Sequence, residues 1–180
     1  MGITEKKNKI RNKIKDKKKT LSIQYIKNAS DLIFQKIEKL EEFQSANTVM
    51  LYWSLPVEVF THDFILKWYN KKQIILPVVA GDVLEARIFT GIENIVNSKN
   101  FGLFNPIGNT FNKPEEIDLI IVPGIAFDWN NNRLGHGKAY YDKFLPGTRA
   151  FKIGVCFDFQ LLDEIPVTET DVKMDLVVTD

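Results

Sequence analysis

From Ser22 the apolar residues Ile23, Ile26, Ile33, Ile37 and Leu40 recur at intervals of three, four or seven, the spacing that lines one stripe of an α-helix. Ser22 is placed to cap its start. Upstream, Ile10 and Ile14 stand four apart among lysines, which predicts a first, basic helix ending before Thr20 and only weakly tethered to the rest. Downstream the pattern changes. TVMLYW, QIILPVV, IDLIIVPGIAF, FKIGVCF and DLVVTD are short apolar runs rich in Val, Ile and aromatics, as central strands covered on both faces require. Between them lie helical candidates: THDFILKWYNK, in which Phe64, Ile65, Trp68 and Tyr69 share a face, and KAYYDKFL. Alternating strands and helices predict an α/β fold: one open, mainly parallel sheet flanked by helices in a Rossmann-like three-layer arrangement. Its ligand site is expected at the carboxyl ends of the strands. VLEARIF alternates in part and reads as an added edge strand. The stretch from Asn97 to Pro114, rich in Asn, Gly and Pro, reads as a long surface loop.

At 180 residues and 44% hydrophobic content, the chain suits one domain spanning 1–180. A single cysteine, Cys156, closes no internal bridge, and its apolar neighbours mark it as a core residue. The net charge of +1 conceals an asymmetry: residues 1–20 carry +7 and the remainder −6. This basic arm has no apolar segment of the signal-peptide kind and includes Glu5 and Asp16. No stretch approaches the roughly 18 apolar residues of a membrane span. A cytoplasmic monomer without membrane or nucleic-acid partners is expected.

The chemistry concentrates in VPGIAFDWNNNRLGHGKAYYDKFL, Val122 to Leu145. A buried strand ends at Pro123-Gly124, a polar turn follows, and Arg133, Gly135, Gly137 and Lys138 precede an aromatic helix. Glycines let backbone N–H groups approach an anion, a helix start adds partial positive charge, and Arg133 and Lys138 add full charges. Standard nucleotide motifs are absent, so on these grounds alone the block is either an anion site or a structural glycine turn.

The pattern GIAFDxxxxRLGxGKxYYD, with a late TETDVKMD, an early Lys7-x-x-x-Arg11, the segment YWSLPVEVFT and the loop FGLFNP, strongly resembles the 5-formyltetrahydrofolate cyclo-ligase family. The resemblance covers nearly the whole chain. It implies an ATP- and Mg²⁺-dependent closure of 5-formyltetrahydrofolate to 5,10-methenyltetrahydrofolate, with release of ADP and phosphate. The formyl oxygen is phosphorylated, N10 of the substrate attacks, and phosphate departs.

By the same resemblance Lys7, Arg11 and the stretch Arg133, Leu134, Gly135, His136, Gly137, Lys138, Ala139, Tyr140 and Tyr141 bind ATP, with Arg133 and Lys138 catalytic. Trp53 and Glu58 contact folate together with His136, Gly137, Lys138, Ala139 and Tyr140, and Asp142 and Asp171 hold Mg²⁺. Each has a plainer alternative. Asp142 would pair with Lys138 four residues back, Asp171 would cap a turn, Glu58 would be a surface carboxylate, and Trp53 would be core. His136 is donor, stacking plane or bystander, and His62 is structural. Where relatives often carry glycine, this chain has Asn131 and Ala139; Asn105-Pro106 replaces a frequent Glu-Pro. Two rivals remain from the sequence: a non-catalytic module whose basic arm holds RNA, and an ATP-dependent ligase or kinase acting on another pteridine.

Overall fold

The computed structural model describes residues 2–97 and 104–180. Helices α1 (Ile3–Lys18), α2 (Ile23–Glu38) and α3 (Glu41–Ser45) lead into strand β1 (Thr48–Met50), followed by α4 (His62–Trp68), β2 (Gln73–Ala80) and β3 (Val83–Ile88). Then come β4 (Ile95–Asn97), β5 (Phe104–Pro106), β6 (Leu119–Pro123), β7 (Ala126–Asp128), β8 (Arg133–Leu134) and α5 (Tyr140–Phe144). The chain ends through β9 (Phe151–Val155), β10 (Leu161–Leu162) and β11 (Leu176–Val178). The main sheet has the order β11-β9-β6-β1-β2-β3. All its pairings are parallel except β2–β3, so the alternating segment is an antiparallel edge strand as its pattern suggests. Gly81, at φ 61°, opens the two-residue turn between them.

Side-chain alternation sends each strand's residues to two cores. Val49, Ile74, Leu76, Leu119 and Ile121 face the layer of α2, α3 and α4, where Ile33, Ile37, Phe43 and Ile65 are fully buried. Met50, Ile75, Ile120 and Val122 face the other way, against Phe127, Leu145, Cys156 and Met174. That second layer is thin, built from α5, a 3₁₀ turn and the small sheet β10-β7-β8. Phe127 fits because Gly124 and Gly154 carry no side chain; a Cβ on Gly124 would stand 2.6 Å from the ring. Cys156 is a core residue: burial pushes its thiol up to about 12.

Ser22 caps α2 by accepting the Tyr25 N–H at 3.1 Å. Ile23 departs from the expected stripe and is 78% exposed, because the buried face of α2 begins only at Ile26. The expected loop at 97–114 is also partly ordered into ladder structure. Asn97 ends β4, 104–106 form β5, and Arg87 bridges Thr110, while 98–103, with the first half of the FGLFNP motif, lie outside the described residues. Among the described residues no helix is long and apolar enough to cross a membrane.

The basic helix differs most from expectation, because α1 is docked. Ile14 is 2% exposed and packs with Ile10 on Ile125, Ala126, Leu134 and Ile165. Lys7, Arg11, Ile14 and Lys18, spaced four, three and four, form its inner face, and the other lysines remain exposed. Replacing Ile14 with Ala is expected to cost about 2–5 kcal/mol. Amide exchange should show α1 losing protection before the sheet; equal loss everywhere would mean that α1 unfolds only with the whole domain.

Candidate functional site

The chain runs from β1 toward β2 on one side of the sheet and from β6 toward β9 on the other, so the crossovers diverge between β1 and β6. Open α/β sheets leave a crevice at the carboxyl end of such a switch point. There a cavity of about 290 Å³ opens, walled by Tyr52 and Trp53 just past β1, Pro123 at the end of β6, and the block from Arg133 to Asp142. Its floor is apolar: Pro77, Val79 and Leu84 come from the β2–β3 hairpin, where Val79 pairs with Leu84. These three escaped the sequence reading. No signal in the apolar run QIILPVV marks them, because the 40% exposure of Val79 at the strand's end appears only in the fold.

The segment that carries Trp53 and Glu58 is coil, and buried polar side chains hold it. The Tyr52 hydroxyl donates to the Val59 carbonyl at 3.0 Å. Ser54 and Thr61 exchange bonds reciprocally, each hydroxyl accepting the other's backbone N–H at 3.1 Å. Glu58 turns one oxygen inward to accept the Leu55 N–H at 2.9 Å, while Oε1 stands 3.7 Å from His136 Nε2. Trp53 lies stacked on His62, with centroids 3.9 Å apart. His62 contacts the Ser54 carbonyl, and burial lowers its pKa, which keeps it a neutral wall residue.

Across the cavity, Arg133 is the first residue of β8 and its side chain is 5% exposed. Its Nη2 donates to Asp142 Oδ2 at 2.8 Å and its guanidinium lies over the Tyr141 ring, while Nε is buried with no partner. Asp142 therefore pairs with Arg133, nine positions back, and not with Lys138, which is exposed at the cavity wall. Burial raises the Tyr141 pKa and keeps its phenol protonated. Tyr140 reaches across to the Gly81 carbonyl, so α5 is tied to the hairpin turn. Helix α5 has only five residues, so the partial charge expected of a helix start contributes little here. Asn131 and Ala139 both take left-handed conformations, at φ 62° and 54°. Asn tolerates this; for Ala it stores roughly 1–2 kcal/mol, so the cost of a methyl at 139 falls on the backbone.

Lys7, Arg11, Gly137 and Asp171 lie beside the cavity without lining it, and Leu134 turns into the core beneath α1. Arg11 Nε donates to the Gly135 carbonyl at 2.9 Å, and a Cβ on Gly137 would stand 3.6 Å from its guanidinium. Lys7 Nζ reaches Asp171 Oδ2 at 2.5 Å, joining residues 164 positions apart. The Val172 N–H donates to Asp142 Oδ1 at 3.2 Å, which brings the two aspartate-bearing segments together. Asp128, fully buried at the end of β7, is a further polar residue that the sequence reading passed over.

An open, mainly parallel sheet whose switch-point cavity joins an aromatic, carboxylate-bearing wall to a cationic glycine block places the chain among α/β enzymes. The family comparison agrees with that class. The model of the 5-formyltetrahydrofolate cyclo-ligase family matches residues 3–180, and the chain belongs to that family. It is 31% identical to the probable 5-formyltetrahydrofolate cyclo-ligase of Schizosaccharomyces pombe, over 97% of this chain and 95% of the relative. Among solved structures it resembles the 5,10-methenyltetrahydrofolate synthetase of Aquifex aeolicus, with a TM-score of 0.85 and 31% identity over 96% of this chain and 88% of that one. The synthetase of Mycoplasma pneumoniae gives 0.79 and 28%, covering 97% and 98%.

Burial acts to raise the Asp171 pKa, but hydrogen bonds from Lys7 and Thr168 outweigh it and hold the carboxyl below its ordinary value. A carboxyl that titrates lower when folded stabilises the fold fully above its unfolded value of about 3.9 and loses that contribution as acid protonates it. Below about pH 4, α1 is expected to lose amide protection relative to the sheet. Lys7→Met should remove most of that difference; an unchanged ratio would show that Ile10 and Ile14 alone hold the helix.

Proposed function

We propose that this chain catalyses the ATP-dependent cyclisation of 5-formyltetrahydrofolate to 5,10-methenyltetrahydrofolate, releasing ADP and phosphate. One observation carries the reading: a single cavity is lined by Trp53 and Glu58 from the segment after β1 and by Arg133, Lys138 and Asp142 from the glycine block. The two halves come from distant sequence, and each suits one of the two substrates.

Trp53, backed by His62, offers a flat wall to the pteridine, and Pro77, Val79 and Leu84 offer its apolar floor. Glu58 accepts the pteridine's amino and ring N–H donors at Oε1, its other oxygen being fixed by Leu55. His136 bounds the same space as a polar edge, and Tyr140 closes the side tied to the hairpin. Lys7 and Arg11 approach the glycine block from α1, where they suit the outer phosphates of ATP. Backbone N–H groups of Gly135, Gly137 and Ala139 provide anion contacts, and Leu134 contributes only backbone.

The formyl oxygen attacks the γ-phosphorus and ADP leaves. N10 then attacks the formyl carbon, the carbon–oxygen bond breaks with loss of phosphate, and the N10 proton passes to solvent. Such transfer needs position and charge neutralisation more than covalent help from the protein. Lys138, unpaired among the described residues, and Arg133, with an unmet buried donor, provide that charge on the nucleotide side.

Asp142 and Asp171 fit a magnesium ion that takes most of its ligands from phosphate and water. Their segments touch, Asp142 lines the cavity, and the described residues contain no cluster of three ligating side chains that would build an all-protein cage. The ion would supply further neutralisation of phosphate charge.

Purified protein with ATP and Mg²⁺ is expected to form the methenyl product, followed by its near-ultraviolet absorbance. Asp142→Asn should lower turnover by about two orders of magnitude, matching roughly 3 kcal/mol of lost transition-state stabilisation, with partial recovery at raised Mg²⁺. Because the buried Arg133 then loses its carboxylate, thermal stability should fall as well. Folded wild-type protein that makes no product at saturating ATP would overturn the reading.

A further inference from the structure

The segment from 163 to 175, between β10 and β11, belongs to no strand or helix, yet it carries Asp171 to the site. Without a ladder, its place depends on individual bonds. Met174 N–H donates to the Asn131 carbonyl at 2.9 Å, Asn131 Nδ2 donates to the Asp175 carbonyl at 3.3 Å, and Val172 N–H reaches Asp142. Lys7 reaches Asp171, Asp175 exchanges backbone and carboxylate bonds with Lys152, and the Ile165 N–H donates to Asp128 Oδ2 at 2.9 Å.

Asp128 does more than receive that bond. Its Oδ1 accepts the N–H groups of Asn130 at 3.0 Å and Asn132 at 2.9 Å, and Oδ2 also accepts Asn132 Nδ2 at 2.9 Å. Four donors thus converge on one carboxylate that is 0% exposed. Three belong to the β7–β8 turn, where Asn131 sits at φ 62°, and the next residue after Asn132 is Arg133. The fourth belongs to the acidic coil. Asn131 and Asp142 also join these two segments, but Asp128 is the fully buried carboxylate that ties the turn leading into Arg133 to the coil carrying Asp171.

We propose that Asp128 is a positioning residue of the cyclo-ligase reaction: it sets the nucleotide side of the cavity by holding the Arg133 strand and the Asp171 segment in one register. The proposal rests on the function assigned above. It concerns one half of the site only, since Trp53, Glu58 and the β2–β3 hairpin make none of these four bonds. A neutral amide cannot replace the carboxylate, because one of its two atoms is itself a donor facing the donors that Asp128 now accepts.

Asp128→Asn is therefore expected to raise the KM for ATP and the Mg²⁺ half-saturation about tenfold, and to weaken Mg·ADP binding in calorimetry to the same degree, about 1.4 kcal/mol. The KM for 5-formyltetrahydrofolate should stay within about threefold. Asn132→Ala removes one of the four bonds, so it should fold even if Asp128→Asn does not, and should move the same constants in the same direction by less. Phe43→Leu, in the core on the far face, serves as a control: it should lower thermal stability while leaving all three constants near wild type. The proposal is overturned if both turn variants keep wild-type nucleotide and Mg²⁺ constants, or if folate and nucleotide constants rise together. Wild-type protein that binds Mg·ADP but forms no methenyl product would instead defeat the assigned function, leaving the calorimetric comparison to decide the role of Asp128.

Discussion

The divergence of the chain between β1 and β6 is the constraint from which the site follows. Two adjacent parallel strands whose continuations leave in opposite directions cannot both cover the gap above them, so a crevice remains at their carboxyl ends. β1 is only three residues long, and Tyr52 and Trp53, just past it, become the cavity's wall. β6 stops at Pro123, where the chain turns through Gly124 into the hairpin that presents Arg133. Phe127 can seat this hairpin against the sheet only because Gly124 and Gly154 leave room for its ring.

Charge is arranged in matched pairs around that crevice. Arg133 with Asp142 and Lys7 with Asp171 each place a cation against a carboxylate that is less than one-fifth exposed. Burying either member alone would be expensive, whereas the pairs are tolerable and keep four charged groups beside the cavity. Lys138 and His136 stand at the exposed rim. The apolar floor and the polar rim thus occupy opposite parts of the cavity.

The sheet was readable in the sequence because its strands are buried on both faces, which forces unbroken apolar runs. α2 was readable because Ile26, Ile33 and Ile37 share a stripe. Ile23 broke the rule, since periodicity marks a face but not how far the partner surface extends. The docking of α1 was missed for a related reason: Ile10 and Ile14 are too few to signal a buried helix, and their partners are far away in sequence. The glycine block was legible as an anion site and, by resemblance, as part of a particular family. Its internal wiring was not. Spacing rules connect residues three or four apart, so they suggested Lys138 for Asp142, while the observed partner is fixed by the turn of a hairpin. Nothing in the sequence sets Asp128 apart from the other aspartates; its burial does.

Helix α1 is anchored by residues that are made long after it. Ile14 packs on Ile165, and Lys7 reaches Asp171, 164 positions on. At translation rates of about 5–20 residues per second, α1 waits on the order of ten seconds or more for these partners to exist. Its crowded lysines repel one another and solvate well, so the waiting segment exposes little that would associate with other chains. Vectorial synthesis thus delays the docking of α1 until the segment carrying Ile165 and Asp171 has been made.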